Sequence, residues 1–262
     1  MNGLFKLQRY NAVCLFVLFL TAGVLPGCID NTDGSIYCGE GTTWDSDAEK
    51  CIISQTPIAL FEGNYSTVTM QIIHANSTTE TNLTYTIVIE LYHEDAPFHA
   101  DNFRKHAESG RYDDVTFHRV IDDFMIQGGD FENNDGSGGY AAQWYGYCDG
   151  QYMSNSADCN SETLYTLPDE ADNGLEHNPC VISMAKTSQP HTGGSQFFLL
   201  PEDAQNPQTG EQGTHWLDGI HTVFGKIISG CEHVTSLSEV ETGAYDRPIV
   251  PVIITSATVS EQ

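Results

Sequence analysis

The chain has 262 residues, with 36 acidic and 10 basic side chains, which gives a formal net charge of −26 at pH 7. This length is enough for one substantial domain with small additions. Nucleic acid is excluded as a natural partner, because binding to phosphates needs a basic face.

The first 27 residues have the pattern of an export signal that is removed from the mature protein. Lys6 and Arg9 give it a basic start. Residues 12–24 then form an apolar run, which is about the length of a signal-peptide core and short for a membrane span. We therefore predict a signal peptide at 1–27.

The junction at 25–28 reads Leu-Pro-Gly-Cys and resembles a lipobox, the site at which prokaryotic lipoproteins are cleaved and lipidated on the cysteine. This predicts a lipid on Cys28 and a mature protein anchored to a membrane outside the cytoplasm, at the cell surface or in the periplasm. The alternative is an ordinary signal peptide cut near Gly27, which leaves Cys28 for a disulfide.

Six further cysteines follow, an even number that favours disulfides in an oxidising compartment. They are Cys38, Cys51, Cys148, Cys159, Cys180 and Cys231. The first two close a short polar loop, and so do the next two. The last two are then left for each other, but six cysteines allow fifteen connectivities, so this link stays open. No Cys-x-x-Cys pair accompanies them, so no metal site is predicted.

The chain after the junction divides into a short part and a long part. Residues 28–55 are predicted to form a tether and a small cysteine-closed module, too small for a core of its own. Residues 56–262 carry the pattern of a β domain, in which apolar and polar residues alternate around 68–72 and 85–91. Further strands are predicted at 116–126, 180–185, 196–200, 222–227 and 250–258.

Two helices are predicted among these strands. The first covers 94–110, where Pro97 suits the first turn and a glycine ends the helix. Ala100, Phe103 and Ala107 fall on one face of it at spacings of three and four. The second covers 231–237. Many short strands with two helices favour an antiparallel barrel.

Three stretches carry the most specific signal. The first, at 117–131, reads FHRVIDDFMIQGGDF and places Arg119 and Gln127 in an apolar segment, where each needs a polar partner. The others are SMAKTSQPHTGGSQFF at 183–198 and WLDGIHTVFG at 216–225. In this order they resemble the cyclophilin family of peptidyl-prolyl cis-trans isomerases, and the resemblance extends over most of the mature chain.

That resemblance implies a closed eight-stranded antiparallel β-barrel capped by two α-helices, with an insertion near 140–170 relative to a minimal member of the family. It also implies a monomer that binds proline-containing polypeptides and cyclosporin-type ligands. No cofactor is implied. Rotation about the X–Pro amide must overcome a barrier of about 18–20 kcal/mol, but it breaks no covalent bond.

The resemblance also assigns roles to residues. Arg119 is implied to donate a hydrogen bond toward the prolyl nitrogen, and Gln127 to hold the arginine and the substrate. The residues implied to bind the substrate are Phe124, Met125, Ala185, Lys186, Gln196, Phe198, Trp216, Leu217 and His221. Taken one at a time, the apolar members of this set fit a core equally well, and Arg119 is able to pair with Asp122, Asp123 or Asp130 instead.

Together these patterns predict a membrane-tethered isomerase that assists the folding of exported or surface proteins, in which X–Pro steps take tens of seconds. One alternative is a non-catalytic module that binds proline-rich segments, against which the retained arginine argues. Another is an interaction protein that acts through residues 36–55 or through the insertion. A hydrolase built on Ser183, His191 and Asp203 is disfavoured, because no G-x-S-x-G elbow occurs.

Overall fold

The computed structural model describes residues 58–75 and 82–261, together with the backbone of four short strands before residue 58. Two compact units are distinguished, 1–57 and 58–262. In the first unit, Cys28–Ile29 pairs with Ile36–Tyr37 and Thr42–Asp45 pairs with Lys50–Ile53, both antiparallel. The predicted signal peptide, the lipid on Cys28 and the Cys38–Cys51 link lie outside the described residues. Among the residues that are described, no helix is long and apolar enough to cross a membrane.

The second unit is built on one antiparallel sheet of nine strands. In chain order they are β1 Tyr65–Ala75, β2 Asn82–Tyr92, β3 Val115–Thr116, β4 Arg119–Ile121, β5 Met125–Gly128, β6 Val181–Met184, β7 Phe197–Leu199, β8 Val223–Ser229 and β9 Val252–Glu261. Their order across the sheet is β3-β9-β1-β2-β8-β6-β7-β5-β4. The predicted mainly β fold is confirmed.

The two edges of this sheet are neighbours in sequence. Only Phe117 and His118 separate β3 from β4. This connection spans at most about 11 Å, so the two edges must approach each other and the sheet is strongly curled. The strands predicted over 116–126 are present as the end of β3, β4 and the start of β5. A turn separates β4 from β5, and Asp123 in this turn adopts a φ of 57°.

The core lies inside the curl. Val68, Met70 and Ile72 alternate along β1, and Ile87 and Ile89 do so along β2, all fully buried. The register between the strands sets Val68 opposite Ile89 and Met70 opposite Ile87. Each such side chain contributes about 1.5–3 kcal/mol by leaving water, and this fixes which face of the strands points inward.

Within residues 58–75 and 82–261, two α-helices pack against the sheet, α1 at Pro97–Glu108 and α2 at Cys231–Ser238. The prediction of two helices is confirmed, although α1 begins at its proline and not at residue 94, because 93–95 form a turn. The side chain of Asn102 on α1 donates to the carbonyl of Gly194 at 2.8 Å and accepts from the amide of Ala142 at 2.7 Å. Helix α1 thereby connects the insertion to the segment that leads into β7.

The insertion is more ordered than a loop. Tyr147–Cys148 pairs with both Gln151–Tyr152 and Tyr165–Thr166 in a small antiparallel sheet. The predicted Cys148–Cys159 disulfide is present and closes the segment between these strands. The link that the sequence left open is also present, since Cys180 before β6 is bonded to Cys231 at the start of α2.

Candidate active site

One cavity of about 270 Å³ gathers most of the residues that were expected to form the site. Its walls come from β4, β5, the end of β6, β7 and the segment before β8. The lining residues are Arg119, Phe124, Met125, Gln127, Ala185, Lys186, Phe198, Leu217 and His221. These are nine of the eleven residues proposed as catalytic or substrate-binding, and the other two, Gln196 and Trp216, lie next to the cavity.

The floor of the cavity is apolar and is part of a second, smaller core. Met125 and Phe198 are 2% and 5% exposed, and Phe124 and Leu217 pack against the same cluster. The His221 ring meets Phe198 edge-on, with 5.7 Å between the ring centroids. A hydrophobic recess of this size fits a compact apolar ring such as that of proline.

His221 is a neutral wall of the pocket. Its Nδ1 donates to the carbonyl of Met184 at 2.9 Å. Burial is the main reason why the pKa of His221 lies below its ordinary value, and the nearby Lys186 lowers it further. At neutral pH the imidazole is therefore uncharged, which keeps the recess apolar.

Arg119 and Gln127 stand opposite each other on β4 and β5. Gln127 donates through Nε2 to the side-chain oxygen of Gln196 at 3.0 Å. Gln196 in turn donates to the carbonyls of Gly136 and Gly138, at 2.9 Å and 2.8 Å. The structure thus places Gln196 behind Gln127 and not in the wall of the apolar cavity.

Arg119 makes an ion pair that the sequence did not indicate. Its Nε donates to the Oδ2 of Asp246 at 3.3 Å, and both side chains are half-exposed. The three carboxylates suggested earlier have other contacts. Asp122 accepts from the amide of Asp123, whose own carboxylate accepts from a glutamine, and Asp130 accepts several amides of the loop after β5. A contact between residues 127 positions apart has no local sequence signal.

The glycine pair after Gln127 allows a close backbone approach. Gly129 has a φ of 90°, and a Cβ at this position would lie 2.5 Å from the carbonyl oxygen of Ser195. Ser195 donates through Oγ to the carbonyl of Gly129 at 2.6 Å. A side chain at position 129 would push apart the strands that carry Gln127 and Phe198.

Trp216 extends the apolar surface beyond the cavity. It is 39% exposed, and its ring lies 5.5 Å from that of Phe124, centroid to centroid. The two rings line a neighbouring depression together with Asp122 and Asp123. Trp216 is therefore positioned to contact a ligand that is larger than a single proline.

A second and larger cavity, about 650 Å³, adjoins the first. The two share Gln127, Ala185 and Lys186, and residues 149–151 and 163–166 of the insertion form the opposite side. The Nζ of Lys186 lies 3.5 Å from Asp169 Oδ2, and its side chain is largely buried. The insertion therefore faces the same groove as the candidate site.

The serine in the second motif is not a nucleophile. Ser183 is fully buried, donates to the carbonyl of Thr222 at 3.0 Å and lies 2.9 Å from His177 Nε2. His177 Nδ1 is 2.7 Å from Asp218 Oδ1. This chain of three groups resembles a hydrolase triad, but its hydroxyl is inaccessible to any substrate. It also uses neither His191 nor Asp203, so the hydrolase alternative has no support.

Among the described residues, one group of ligand-type side chains comes together, namely Cys180, Glu202 and Cys231. Both sulfurs in this group are bonded to each other in the disulfide. Because a metal binds the free thiolate, this group cannot hold an ion while the disulfide is intact.

Comparisons with known proteins show the family to which the chain belongs. The family model described as "Cyclophilin type peptidyl-prolyl cis-trans isomerase/CLD" matches residues 77–259. Peptidyl-prolyl cis-trans isomerase 9 of Schizosaccharomyces pombe is 37% identical over 176 residues, which are 66% of this chain and 23% of that protein. Peptidyl-prolyl cis-trans isomerase cyp18 of Streptomyces antibioticus is 35% identical over 178 residues, 66% of this chain and 92% of that protein. Peptidyl-prolyl cis-trans isomerase-like 1 of Gibberella zeae is 34% identical over 176 residues, 67% of this chain and 90% of that protein.

The fold and the cavity define a strongly curled, mainly β domain with an apolar recess beside an arginine. The chain belongs to the cyclophilin-type peptidyl-prolyl cis-trans isomerase family. It is accordingly an enzyme of the peptidyl-prolyl cis-trans isomerase class. Cyclophilins bind proline-containing peptides and cyclosporin.

Proposed function

We propose that this protein is an exported, membrane-anchored monomeric isomerase that accelerates X–Pro rotation in proteins folding outside the cytoplasm. The observation that carries this location is the pair of disulfides, Cys148–Cys159 and Cys180–Cys231, within the catalytic unit. Such links persist in oxidising compartments and are rare in the cytosol. The basic and apolar N-terminus and the lipobox-like junction at Cys28 point to the same place.

In the proposed mechanism the proline ring enters the recess formed by Phe124, Met125, Phe198 and Leu217. As the preceding amide twists, the lone pair of the prolyl nitrogen loses its conjugation with the carbonyl, becomes localised on the nitrogen and can accept a hydrogen bond. Arg119 stands at the rim of the recess and supplies the donor. That bond strengthens only in the twisted state, so it lowers the barrier and does not merely bind the substrate.

A fully closed barrel belongs to the same proposal. If β3 and β4 are two halves of one strand interrupted at Phe117 and His118, the sheet has eight strands and its edges join at this interruption. The two-residue connection between them supports this arrangement. Amide exchange provides the test, since a closed barrel protects the backbone on both sides of the interruption.

The location is tested with a Cys28→Ser variant expressed in a lipoprotein-forming host. We expect the unmutated protein in the membrane fraction, with the mass of a diacylglyceryl-modified cysteine, and the variant in the soluble exported fraction. An unmodified Cys28 in the native protein would overturn the anchor. Cytoplasmic retention of both proteins would overturn export as well.

The catalytic role is tested separately by a protease-coupled assay with prolyl peptides, using the full chain in detergent. Turnover that depends on enzyme concentration is expected. Binding of the same peptides without any acceleration of their isomerisation would instead support the alternative of a proline-segment binding module. Titration of the unmutated protein and of Trp216→Phe with cyclosporin, monitored by tryptophan fluorescence, tests whether the exposed Trp216 contributes to that ligand's site.

A further inference from the structure

The loop between α2 and β9 brings a carboxylate to the candidate catalytic arginine. Asp246 lies in a short turn at Ala244–Asp246 and accepts from the Nε of Arg119 at 3.3 Å. We propose that Asp246 is a positioning residue for isomerisation, which fixes the orientation of the Arg119 guanidinium relative to the proline recess. This inference rests on the isomerase role of Arg119.

The loop that carries Asp246 is tightly closed on itself. The amide of Ile249 donates to the carbonyl of Glu241 at 2.9 Å, and the amide of Gly243 donates to the carbonyl of Arg247 at 2.8 Å. The carboxylate is therefore presented by a small, hydrogen-bonded hairpin and not by an unstructured chain.

The backbone at the tip of this hairpin is strained. Tyr245 and Asp246 have φ values of 63° and 58°, two consecutive left-handed residues without a glycine. Such conformations cost energy, and they persist at functional sites where the surroundings hold them in place. Tyr245 is 93% exposed, so packing of its ring does not explain the conformation. The ion pair of Asp246 with Arg119 is the contact that the strained turn makes possible.

The geometry of the guanidinium explains what this contact does. The group has five N–H donors in a fixed plane, and a partner on Nε leaves the terminal nitrogens to donate elsewhere. A half-exposed arginine without a partner rotates about several side-chain bonds. Holding it at Nε keeps a larger fraction of molecules with the terminal donors facing the recess, which raises catalysis through preorganisation.

The carboxylate has a second and opposite effect, because its charge partly offsets that of Arg119. Both side chains of the pair are half-exposed, so water screens this charge effect. The orientation of the donor is not screened. We therefore expect the positioning effect to be the larger of the two.

The test compares Asp246→Gly with Asp246→Asn. Glycine removes the carboxylate and accepts the left-handed backbone without strain, whereas alanine would strain the turn. Asparagine also tolerates this conformation and keeps a side-chain oxygen that can accept from Nε. Glu241→Gln is the matched control, because it removes one negative charge from the same loop without touching Arg119.

The full chain in detergent is assayed for each variant, alone and combined with Arg119→Ala. We expect Asp246→Gly to lower kcat/KM about threefold to fivefold, mainly through kcat, as befits a half-exposed ion pair. Asp246→Asn should recover most of this loss and Glu241→Gln should show none. In the Arg119→Ala background, Asp246→Gly should cause no further loss.

A spectroscopic readout accompanies the kinetics. The Nε–H resonance of Arg119 should move in Asp246→Gly and stay in place in Glu241→Gln. Equal losses with and without Arg119, or full activity of Asp246→Gly, would overturn the positioning role while the isomerase assignment stands. An inactive unmutated chain would overturn both.

Discussion

The side-chain amide of Gln127 donates to the side-chain oxygen of Gln196 at 3.0 Å, and this bond joins β5 to the residue just before β7. Gln196 continues the chain of hydrogen bonds to the carbonyls of Gly136 and Gly138. The polar edge of the recess is thus held by a loop that is itself organised around the Asp130 carboxylate. Substitution of Gln196 should therefore affect catalysis through Gln127.

We predict that Gln196→Ala lowers kcat/KM about fivefold, because the bond that holds Gln127 contributes about 1 kcal/mol. Gln196→Glu should lose more activity, because a carboxylate would face two carbonyl oxygens where an amide now donates. Gln71→Ala is the control, since Gln71 is exposed on β1 and bonds only Thr86 through its side chain among the described contacts. Steady-state kinetics of the three variants provide the measurement. A Gln196→Glu variant as active as the unmutated protein would contradict a role of Gln196 in catalysis.

Arg119→Ala should lower kcat/KM by about tenfold to more than a hundredfold while the domain stays folded. A charge-assisted hydrogen bond contributes about 1.5–3 kcal/mol, and here it forms mainly in the twisted state. Arg119→Lys should recover little, because an ammonium does not reproduce the planar fork. Each variant is assayed beside its thermal unfolding curve. Near-full activity of Arg119→Ala would remove this residue from the mechanism.

Phe124→Ala should act mainly on binding. The ring of Phe124 lines the recess and contacts Trp216, so its removal opens the pocket on the side of the exposed tryptophan. We expect a higher KM for prolyl peptides with a smaller change in kcat, in contrast to Arg119→Ala. A loss confined to kcat would show that Phe124 does not bind the proline ring.

The two disulfides should differ in their effect on stability. The Cys180–Cys231 link spans 51 positions and the Cys148–Cys159 link spans 11. Loop-closure entropy gives about 4 kcal/mol for the first and about 3 kcal/mol for the second as upper values. The first also ties α2 to β6, whereas the second lies within the insertion, which is able to open locally.

We therefore predict that the double variant Cys180→Ser/Cys231→Ser has a lower Tm, with a largest expected decrease of about 8–16 °C. Cys148→Ser/Cys159→Ser should make the insertion sensitive to limited proteolysis with a much smaller change in Tm. Calorimetry and proteolysis of both double variants provide the measurements. Equal shifts of Tm would refute the distinction between the core link and the insertion link.

Acid should destabilise the protein through His106. This ring is fully buried on α1 between Tyr112 and Phe131, and burial, reinforced by Arg111, lowers its pKa to about 3. In the unfolded chain the imidazole takes up a proton below about pH 6.5, but in the folded protein it stays neutral until about pH 3. The unfolded state thus binds more protons in this interval, and stability is lost as pH falls.

The corresponding variant is His106→Phe, which cannot be protonated. Between pH 6.5 and 4.5 the free energy of unfolding of the unmutated protein should fall by roughly 2–3 kcal/mol more than that of the variant. Denaturant unfolding at several pH values measures the difference. Parallel pH profiles would show that His106 does not contribute.

Several features were predictable because the information is local. Alternating apolar residues determined which faces of β1 and β2 are buried, and the proline and the apolar face of α1 marked that helix. The recess residues lie in three continuous motifs, so a resemblance carried by those motifs also identified them. Nine of the eleven residues proposed as catalytic or substrate-binding line one cavity.

Other features were decided only by the tertiary structure. Asp246 meets Arg119, and Asp218 meets His177, because the curled sheet and its connecting loops bring distant segments together. The small sheet in the insertion consists of two-residue strands rich in polar groups. Such strands are too short to show an alternation of apolar and polar residues. Sequence patterns report which side of an element is buried, since burial repeats with the period of the backbone. The partner of a polar side chain depends instead on which distant segment the fold places beside it, and the periodicity of the sequence does not contain that information.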